Sequence, residues 1–328
     1  MGLMGRMGMN TRNLRFRSNR VRDIVGLFHE ELDELYGVGE VGVFLDMLFE
    51  AFLGWDKVRL LTSREMTIDQ SDLLRFHWAL EDLKQYRPIQ HIIGYTDFCG
   101  CRIAVSPAVL IPRPETEEMV GWLIAGHSDA RSMNDRCSVV VQSNTEQRLN
   151  NERTTNEQQG KLIDLCTGSG CIAIALKKAF PSADVTAVDV SPAALEIALE
   201  NAKNNGADIR FMQTDVLNGV DGLNGSYGLI VSNPPYVMER ERAQMQRNVL
   251  DYDPGLALFV PDDDPLRFYK AIANIAKQHL AHDGLLVVEI NEALANETCE
   301  VIKAAGLVPT VHDDFRGKHR WISAVWNP

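Results

Sequence analysis

A chain of 328 residues is long enough for two domains, one of them a full α/β sheet. Its 45% hydrophobic and 24% charged residues are those of a globular protein, and no apolar run approaches a membrane span. A net charge of −12 and a pI near 5.2 argue against broad contact with a nucleic-acid backbone and leave room only for a local basic patch.

The chain opens on six arginines and no acid in its first 22 residues, with methionines at positions 1, 4, 7 and 9. Residues 1–19 read as a flexible basic tail. A helical domain is expected over residues 20–93. Ile24, Leu27, Phe28, Leu32 and Leu35 recur at helix spacing, as do Val43, Phe44, Met47, Leu48 and Phe52, and Asp69 to Leu83 is a third amphipathic run. Pro88 and Gly94 close this bundle. Residues 94–328 then carry a second domain. Tyr95 to Val105 alternates as a hairpin with Gly100 at its turn, which puts Cys99 and Cys101 on one side of a strand. Ile111-Pro112-Arg113-Pro114-Glu115-Thr116-Glu117 runs into a helix, with Pro114 in its first turn and glutamates at its positive end. Residues 128–159 turn polar, apart from Val139–Val141, and read as a long exposed insert.

From Lys161 the pattern alternates strand and helix. Strands are expected at Leu162–Leu165, Val185–Val188, Ile209–Met212, Leu229–Val231 and Leu285–Ile290, and helices at Cys171–Phe180, Pro192–Asn204 and Leu266–Leu280. Repeated βα units imply an α/β, doubly wound, mostly parallel sheet. Leu307–Val311 and Trp321–Trp326, with only a loop between them, suggest an antiparallel hairpin at one edge. The six cysteines, at 99, 101, 137, 166, 171 and 299, show no paired zinc spacing and no Cys-x-x-Cys. With no secretory leader they read as reduced thiols of a cytoplasmic protein that uses no metal.

Two motifs carry the chemistry. In the first, Asp164-Leu165-Cys166-Thr167-Gly168-Ser169-Gly170 follows a strand and opens a helix, where free N–H groups and glycine backbone come close to a ligand. Asp189, nineteen residues after Gly170, ends the next strand, where a carboxylate accepts ribose hydroxyls. This much also fits a dinucleotide enzyme. Asp164 beside the loop favours instead a ligand without phosphate and with a positive centre, such as the sulfonium of S-adenosylmethionine. Asp215 could accept from an adenine amine, and Val216 could pack on the base. In the second motif, the run Leu229-Ile230-Val231-Ser232 breaks into Asn233-Pro234-Pro235-Tyr236. Prolines stop the strand and stiffen the turn. One amide and one ring on a rigid turn can grip a planar group bearing an NH2, whether carboxamide or nucleobase. If the first and fourth strands flank the topological switch of the sheet, both motifs share one crevice.

These residues look like a class I methyltransferase. Together with Pro88–Gly94 and Asp253-Pro254-Gly255-Leu256-Ala257-Leu258, residues 111–117, 164–170 and 233–236 closely resemble the PrmC/HemK family. Its members are peptide chain release factor glutamine N5-methyltransferases, and the match spans roughly residues 20 to 328. The resemblance implies methyl transfer from S-adenosylmethionine to the glutamine of the Gly-Gly-Gln motif in class 1 release factors. It implies that the Asn233 side chain and the Pro234 carbonyl accept the two amide hydrogens, and that Pro235 and Tyr236 complete the substrate site with Tyr236 against the amide plane. Cys166, Thr167, Gly168, Ser169, Gly170, Asp189, Asp215, Val216 and Asn233 would contact the donor. The helical domain would help hold the release factor, with no stable nucleic-acid or membrane partner and a monomeric chain.

Three departures stand out. Cys166 occupies a position where the family commonly has glycine, the 128–159 insert is long for the family, and Val260-Pro261-Asp262-Asp263-Asp264 replaces a glycine-richer stretch. His91, His312 and His319 are expected to be structural or surface residues. The Asn-Pro-Pro-Tyr tetrad alone also fits an adenine-N6 nucleic-acid methyltransferase, which predicts a basic groove. A non-catalytic release-factor-binding protein predicts a broken loop or tetrad, and a nicotinamide oxidoreductase predicts a hydride-site acid or base.

Overall fold

The computed structural model describes residues 16–126 and 160–327; the tail up to residue 15, Cys137 and the 128–159 insert lie outside the described residues. These form two compact units, one of residues 16–94 with Arg247–Tyr252, the other of residues 95–246 and 253–327 as far as they are described.

The first unit is helical. Helices α1 (Val21–Tyr36), α2 (Val38–Leu53), α3 (Lys57–Thr62), α4 (Gln70–Lys84) and α5 (Ile89–Ile93) follow one another. Val21, Ile24, Phe28 and Leu32 bury one stripe of α1, and Phe44, Leu45, Leu48 and Phe49 do so on α2. Phe76 of α4 meets Phe28 edge-on and Phe49 at a tilt, with centroids 6.3 and 4.6 Å apart. Gly54 ends α2 in the left-handed conformation and donates to the Glu50 and Phe49 carbonyls. Leu35 and Val43, which fit the helical apolar pattern, are exposed.

The second unit opens with the hairpin β1 (Tyr95–Phe98) and β2 (Cys101–Ala104). Its turn is Cys99-Gly100, both at positive φ (46° and 74°), as a two-residue hairpin of this twist requires. Cys99 therefore sits in the turn and does not share a strand face with Cys101. Its N–H donates to Glu117 Oε1 at 2.7 Å, so this glutamate of helix α6 (Pro114–Ala125) clamps the turn.

Strands and helices then alternate through β3 (Lys161–Leu165), α7 (Cys171–Ala179), β4 (Asp184–Asp189), α8 (Pro192–Asn204), β5 (Arg210–Gln213) and β6 (Tyr227–Ser232). The two-residue strands β7 (Val237–Met238) and β8 (Phe259–Val260) pair with each other. Helix α9 (Arg267–His279), β9 (Leu280–Glu289), α10 (Ala295–Ala304), β10 (Leu307–Asp313) and β11 (His319–Trp326) complete the unit. The seven-stranded sheet runs β10-β11-β9-β6-β3-β4-β5, with β11 antiparallel to both neighbours and the rest parallel. This is the class I methyltransferase fold with its antiparallel edge hairpin. Both faces are covered, so the central strands read as continuous apolar runs. Leu162, Leu229, Val231 and Val287 pack with α7 on one face; Ile163, Leu165, Ile230 and Val288 pack with α9 on the other. Among the described residues, no helix is long and apolar enough to cross a membrane.

The sheet order reverses between β3 and β6. These strands are parallel neighbours, with Leu165 opposite Ser232, so their C-terminal ends release the two motifs at the same level. On the other side of β6 the register with β9 slips, since Tyr227 pairs with Leu280 but Leu229 already pairs with Leu285. The slip folds backbone onto Gly284. A Cβ there would stand 2.8 Å from Leu280 Cδ1, 2.9 Å from the Tyr227 carbonyl oxygen and 3.0 Å from that of Ala281. We predict that Gly284→Ala destabilises the fold by about 1–3 kcal/mol through overpacking. A urea-unfolding midpoint lowered at unchanged slope would show this, and an unmoved midpoint would mean that the bulge relaxes freely.

Candidate active site

Beyond the ends of β3 and β6 lies a cavity lined by Cys166, Thr167, Gly168, Ser169, Asp189 and Asp215, among others. Val216, Asn233 and Pro235 also line it, so it joins the glycine loop to the proline turn. Gly170, Pro234 and Tyr236 are not among the lining residues. Gly170 acts from behind the loop. It starts α7 at φ 81°, and a Cβ there would stand 3.1 Å from that of Ala198.

The loop is held by carboxylates. Asp189 takes Gly168 N–H on one oxygen at 2.8 Å and Ser191 N–H on the other at 2.9 Å. Asp215 accepts from Leu217 N–H at 3.0 Å and so caps the 3-10 turn Val216–Asn218. Asp164 faces α7 and lies beneath the loop rather than in the cavity. Its Oδ2 accepts the Thr167 hydroxyl at 2.5 Å and Ala173 N–H at 3.3 Å, while Oδ1 meets no donor among the described residues. Burial pushes its pKa up to about 7 despite those two bonds. Asn201 of α8 fastens the loop from outside, its Nδ2 donating to the Ser169 carbonyl at 2.9 Å and to that of Ala104 at 3.0 Å. Cys166 adopts φ 61°, which glycine takes without steric cost and other residues rarely enter. Burial, with Asp189 next, pushes its thiol pKa up.

The tetrad is held by a second buried acid. Asn233 Nδ2 donates to Thr116 Oγ1 at 3.0 Å, and the Thr116 hydroxyl donates to Glu289 Oε2 at 2.6 Å. The Tyr236 hydroxyl donates to the other oxygen of Glu289 at 2.9 Å. Asn291 steadies the same turn from Nδ2, donating to the Tyr236 carbonyl at 3.2 Å and to Glu241 Oε2 at 2.9 Å. Glu289 is 1% exposed; burial raises its pKa, and the Thr116 and Tyr236 hydroxyls oppose the rise. Burial and the neighbouring Glu289 push the Tyr236 phenol well above its ordinary value, so it stays protonated as a donor. Arg113 also lines the cavity, and its guanidinium is taken by the buried carboxylate of Asp253.

The sequence alone assigns no role to Thr116, Glu289, Asn201 or Asn291. Thr116 lies inside the stretch that carries the resemblance, and Glu289 is the acid that ends a buried apolar strand; both were visible as types but not as partners. Among the histidines, His312 Nε2 lies 2.7 Å from Ser323 Oγ, and His319 pairs with Asp313.

Residues 32–94 match the family model described as PrmC N-terminal domain, and residues 145–251 that described as Methyltransferase small domain. A release factor glutamine methyltransferase of Flavobacterium psychrophilum is 38% identical over 296 residues, 90% of this chain and 95% of that protein. One from Bacteroides thetaiotaomicron is 36% identical, covering 92% of this chain and 98% of the relative. The chain belongs to the release factor glutamine methyltransferase family.

The enzyme is thus a methyltransferase that uses S-adenosylmethionine. Its cavity fits such a ligand. Two carboxylates, Asp189 and Asp215, face it from neighbouring strand ends, and Val216, Leu217 and Phe268 add apolar surface. Carboxylates accept from hydroxyls and amines and attract a positive centre. A pyrophosphate would face those carboxylates, and Arg113, the cation among the lining residues, is already paired.

Asp164 provides a test of the loop's support. An acid whose pKa is higher in the folded chain holds its proton more tightly there. Its contribution to stability is therefore largest below 3.8 and declines as pH climbs to about 7. We predict that the stability difference, wild type minus Asp164→Asn, is greater near about pH 5 than near about pH 8. Chemical denaturation at the two pH values measures it; a gap equal at both would mean that the buried carboxyl is ionised throughout.

Proposed function

We propose that the enzyme methylates the side-chain N5 of the glutamine in the Gly-Gly-Gln motif of class 1 peptide chain release factors. One observation carries this reading: an amide side chain on a proline-stiffened turn opens onto the same cavity as the two-carboxylate nucleoside site. When bound, S-adenosylmethionine supplies an electrophilic methyl group on a sulfonium. Cys166–Ser169, Asp189, Asp215 and Val216 hold it, with Asp189 accepting from ribose hydroxyls and Asp215 from the adenine amine. The release factor relatives support the choice of substrate.

An amide nitrogen is a poor nucleophile because its lone pair is delocalised. The Asn233 side-chain oxygen and the Pro234 carbonyl accept its two hydrogens and favour a pyramidal nitrogen whose lone pair faces the methyl group. Both bonds strengthen as positive charge grows on nitrogen, so they act chiefly in the transition state. Pro235 walls the cavity, and Tyr236, which does not line it, braces the turn through its hydroxyl on Glu289 rather than packing against the amide plane. Fixed alignment supplies the proximity contribution. No side chain is assigned as a general base, since the methylated amide loses its proton readily. The helical unit, residues 20–93 in this reading, helps hold the release factor and exposes Val38, Val43 and Val58 to do so. A translation factor as substrate implies a cytoplasmic reaction, and one chain carries the whole site.

The test is methyl transfer from labelled donor to a release factor and to its Gln→Ala variant at Gly-Gly-Gln. Labelling is expected on the first alone; equal labelling of both would sink the assignment. Asn233→Ala is expected to abolish turnover while donor binding survives, measured by calorimetry. A matching loss of donor affinity would reassign Asn233 to the donor site.

A further inference from the structure

Asn233 presents two chemically opposite ends, an oxygen that accepts and an NH2 that donates, of nearly equal size. An acceptor for a substrate NH2 requires the oxygen to face the cavity. The reverse orientation would set donor against donor. Something must therefore choose between two shapes that packing alone does not distinguish.

The choice is made by hydrogen-bond polarity passed from Glu289. Its Oε1 accepts the Tyr236 hydroxyl at 2.9 Å and its Oε2 the Thr116 hydroxyl at 2.6 Å. The single hydrogen of Thr116 is thereby committed to Glu289. Toward Asn233 the threonine oxygen can then only accept, and the atom it accepts from is Nδ2, at 3.0 Å. With Nδ2 tied back, Oδ1 is the end left for the cavity. The same carboxylate fixes Tyr236, and Asn291 holds the Tyr236 carbonyl from the other side at 3.2 Å. The partners come from three places in the chain, the start of α6, the end of β6 and the end of β9, which the β6–β9 pairing of Ser232 with Val288 brings level. A network so remote in sequence and closed at every hydroxyl is more than local turn chemistry requires.

We propose that Thr116 and Glu289 are positioning residues that set the orientation of the Asn233 amide and so make it an acceptor for the substrate nitrogen. The proposal rests on the assignment of Asn233 as that acceptor. Glu289 does not line the cavity; Thr116 does, with its hydroxyl hydrogen committed to Glu289 and its oxygen to Asn233. Thr116 acts through Asn233, and Glu289 through Thr116 and Tyr236.

Three variants test it on the full-length enzyme with a release factor as acceptor. Thr116→Val keeps the shape and removes the hydroxyl; turnover is expected to fall by about 10²-fold, the scale of a misaligned reacting group. Thr116→Ser keeps the hydroxyl and is expected to restore most of the rate. Glu289→Gln can satisfy only one of the two hydroxyls as acceptor, so a smaller loss is expected. In all three, donor affinity by calorimetry and thermal midpoint should stay near wild type. A readout independent of turnover is the exchange of the side-chain amide protons that vanish from the 15N spectrum in Asn233→Ala. They should exchange slowly in wild type and Thr116→Ser, and faster in Thr116→Val. If Asn233→Ala is inactive while Thr116→Val turns over within twofold of wild type, the positioning role is wrong and the acceptor assignment stands. Losing donor affinity in step with turnover in Thr116→Val would also overturn it, by showing a general structural role. If Asn233→Ala itself retains turnover, the acceptor assignment falls and this inference falls with it.

Discussion

The parallel pairing of β3 with β6 is the constraint on which the site depends. Leu165 lies opposite Ser232, and the Ser232 hydroxyl donates to the Leu165 carbonyl at 2.7 Å inside the sheet. Each strand ends one residue later in a turn of different chemistry. The β3 turn is open and glycine-rich, with its Thr167, Gly168 and Gly170 N–H groups already bonded; the β6 turn is stiff, and its two prolines have no N–H to give. A single register thus sets a carboxylate-held rim beside a proline-stiffened one. Moving either strand by one residue would exchange its inward and outward faces and separate the two rims.

Each rim stands on a buried acid, and the two acids differ in how well they are satisfied. Asp164 faces α7 under the glycine loop with one oxygen accepting two hydrogen bonds and the other without a donor among the described residues. Glu289 ends β9 under the proline turn with a hydroxyl on each oxygen. A buried carboxyl costs free energy unless hydrogen bonds offset it. The loop also carries Cys166 in a left-handed conformation, which costs a non-glycine residue about 1–3 kcal/mol. Local strain of this size persists only where the surroundings over-determine the backbone. Asp189 on Gly168 and Asn201 on Ser169 provide that determination.

Much of this was legible in one sequence. The βα alternation after Lys161 and the apolar runs of its strands give the sheet, and a strand ended by Asn-Pro-Pro-Tyr gives one half of the site. Local chemistry was read well because a proline or a helix start acts on its own neighbours. Cys99 was misread because period-two alternation does not register that Cys-Gly forms the turn itself. Asp164 was read as facing the ligand, yet a strand residue's side is set by the helix that covers it, and α7 covers this one. Thr116, Glu289 and Asn201 went unread for a different reason. Each bonds across 32 to 173 positions of chain, and no local pattern encodes such a pairing.

The charge at the cavity bears on the class of acceptor. The Asn-Pro-Pro-Tyr turn would accept an adenine amine as readily as a carboxamide, since both offer a planar NH2. What separates them is the remainder of the substrate. A nucleic acid brings phosphates, which need cations near the reacting base. Asp189 and Asp215 line this cavity, and the guanidinium of Arg113 is spent on Asp253, an acid too buried to release it cheaply to another anion. A net charge of −12 adds repulsion at longer range. A protein side-chain amide brings no phosphates and meets none of these costs. Under the proposed assignment the tetrad would select only for the amine, and the charges around it would select against the nucleobase.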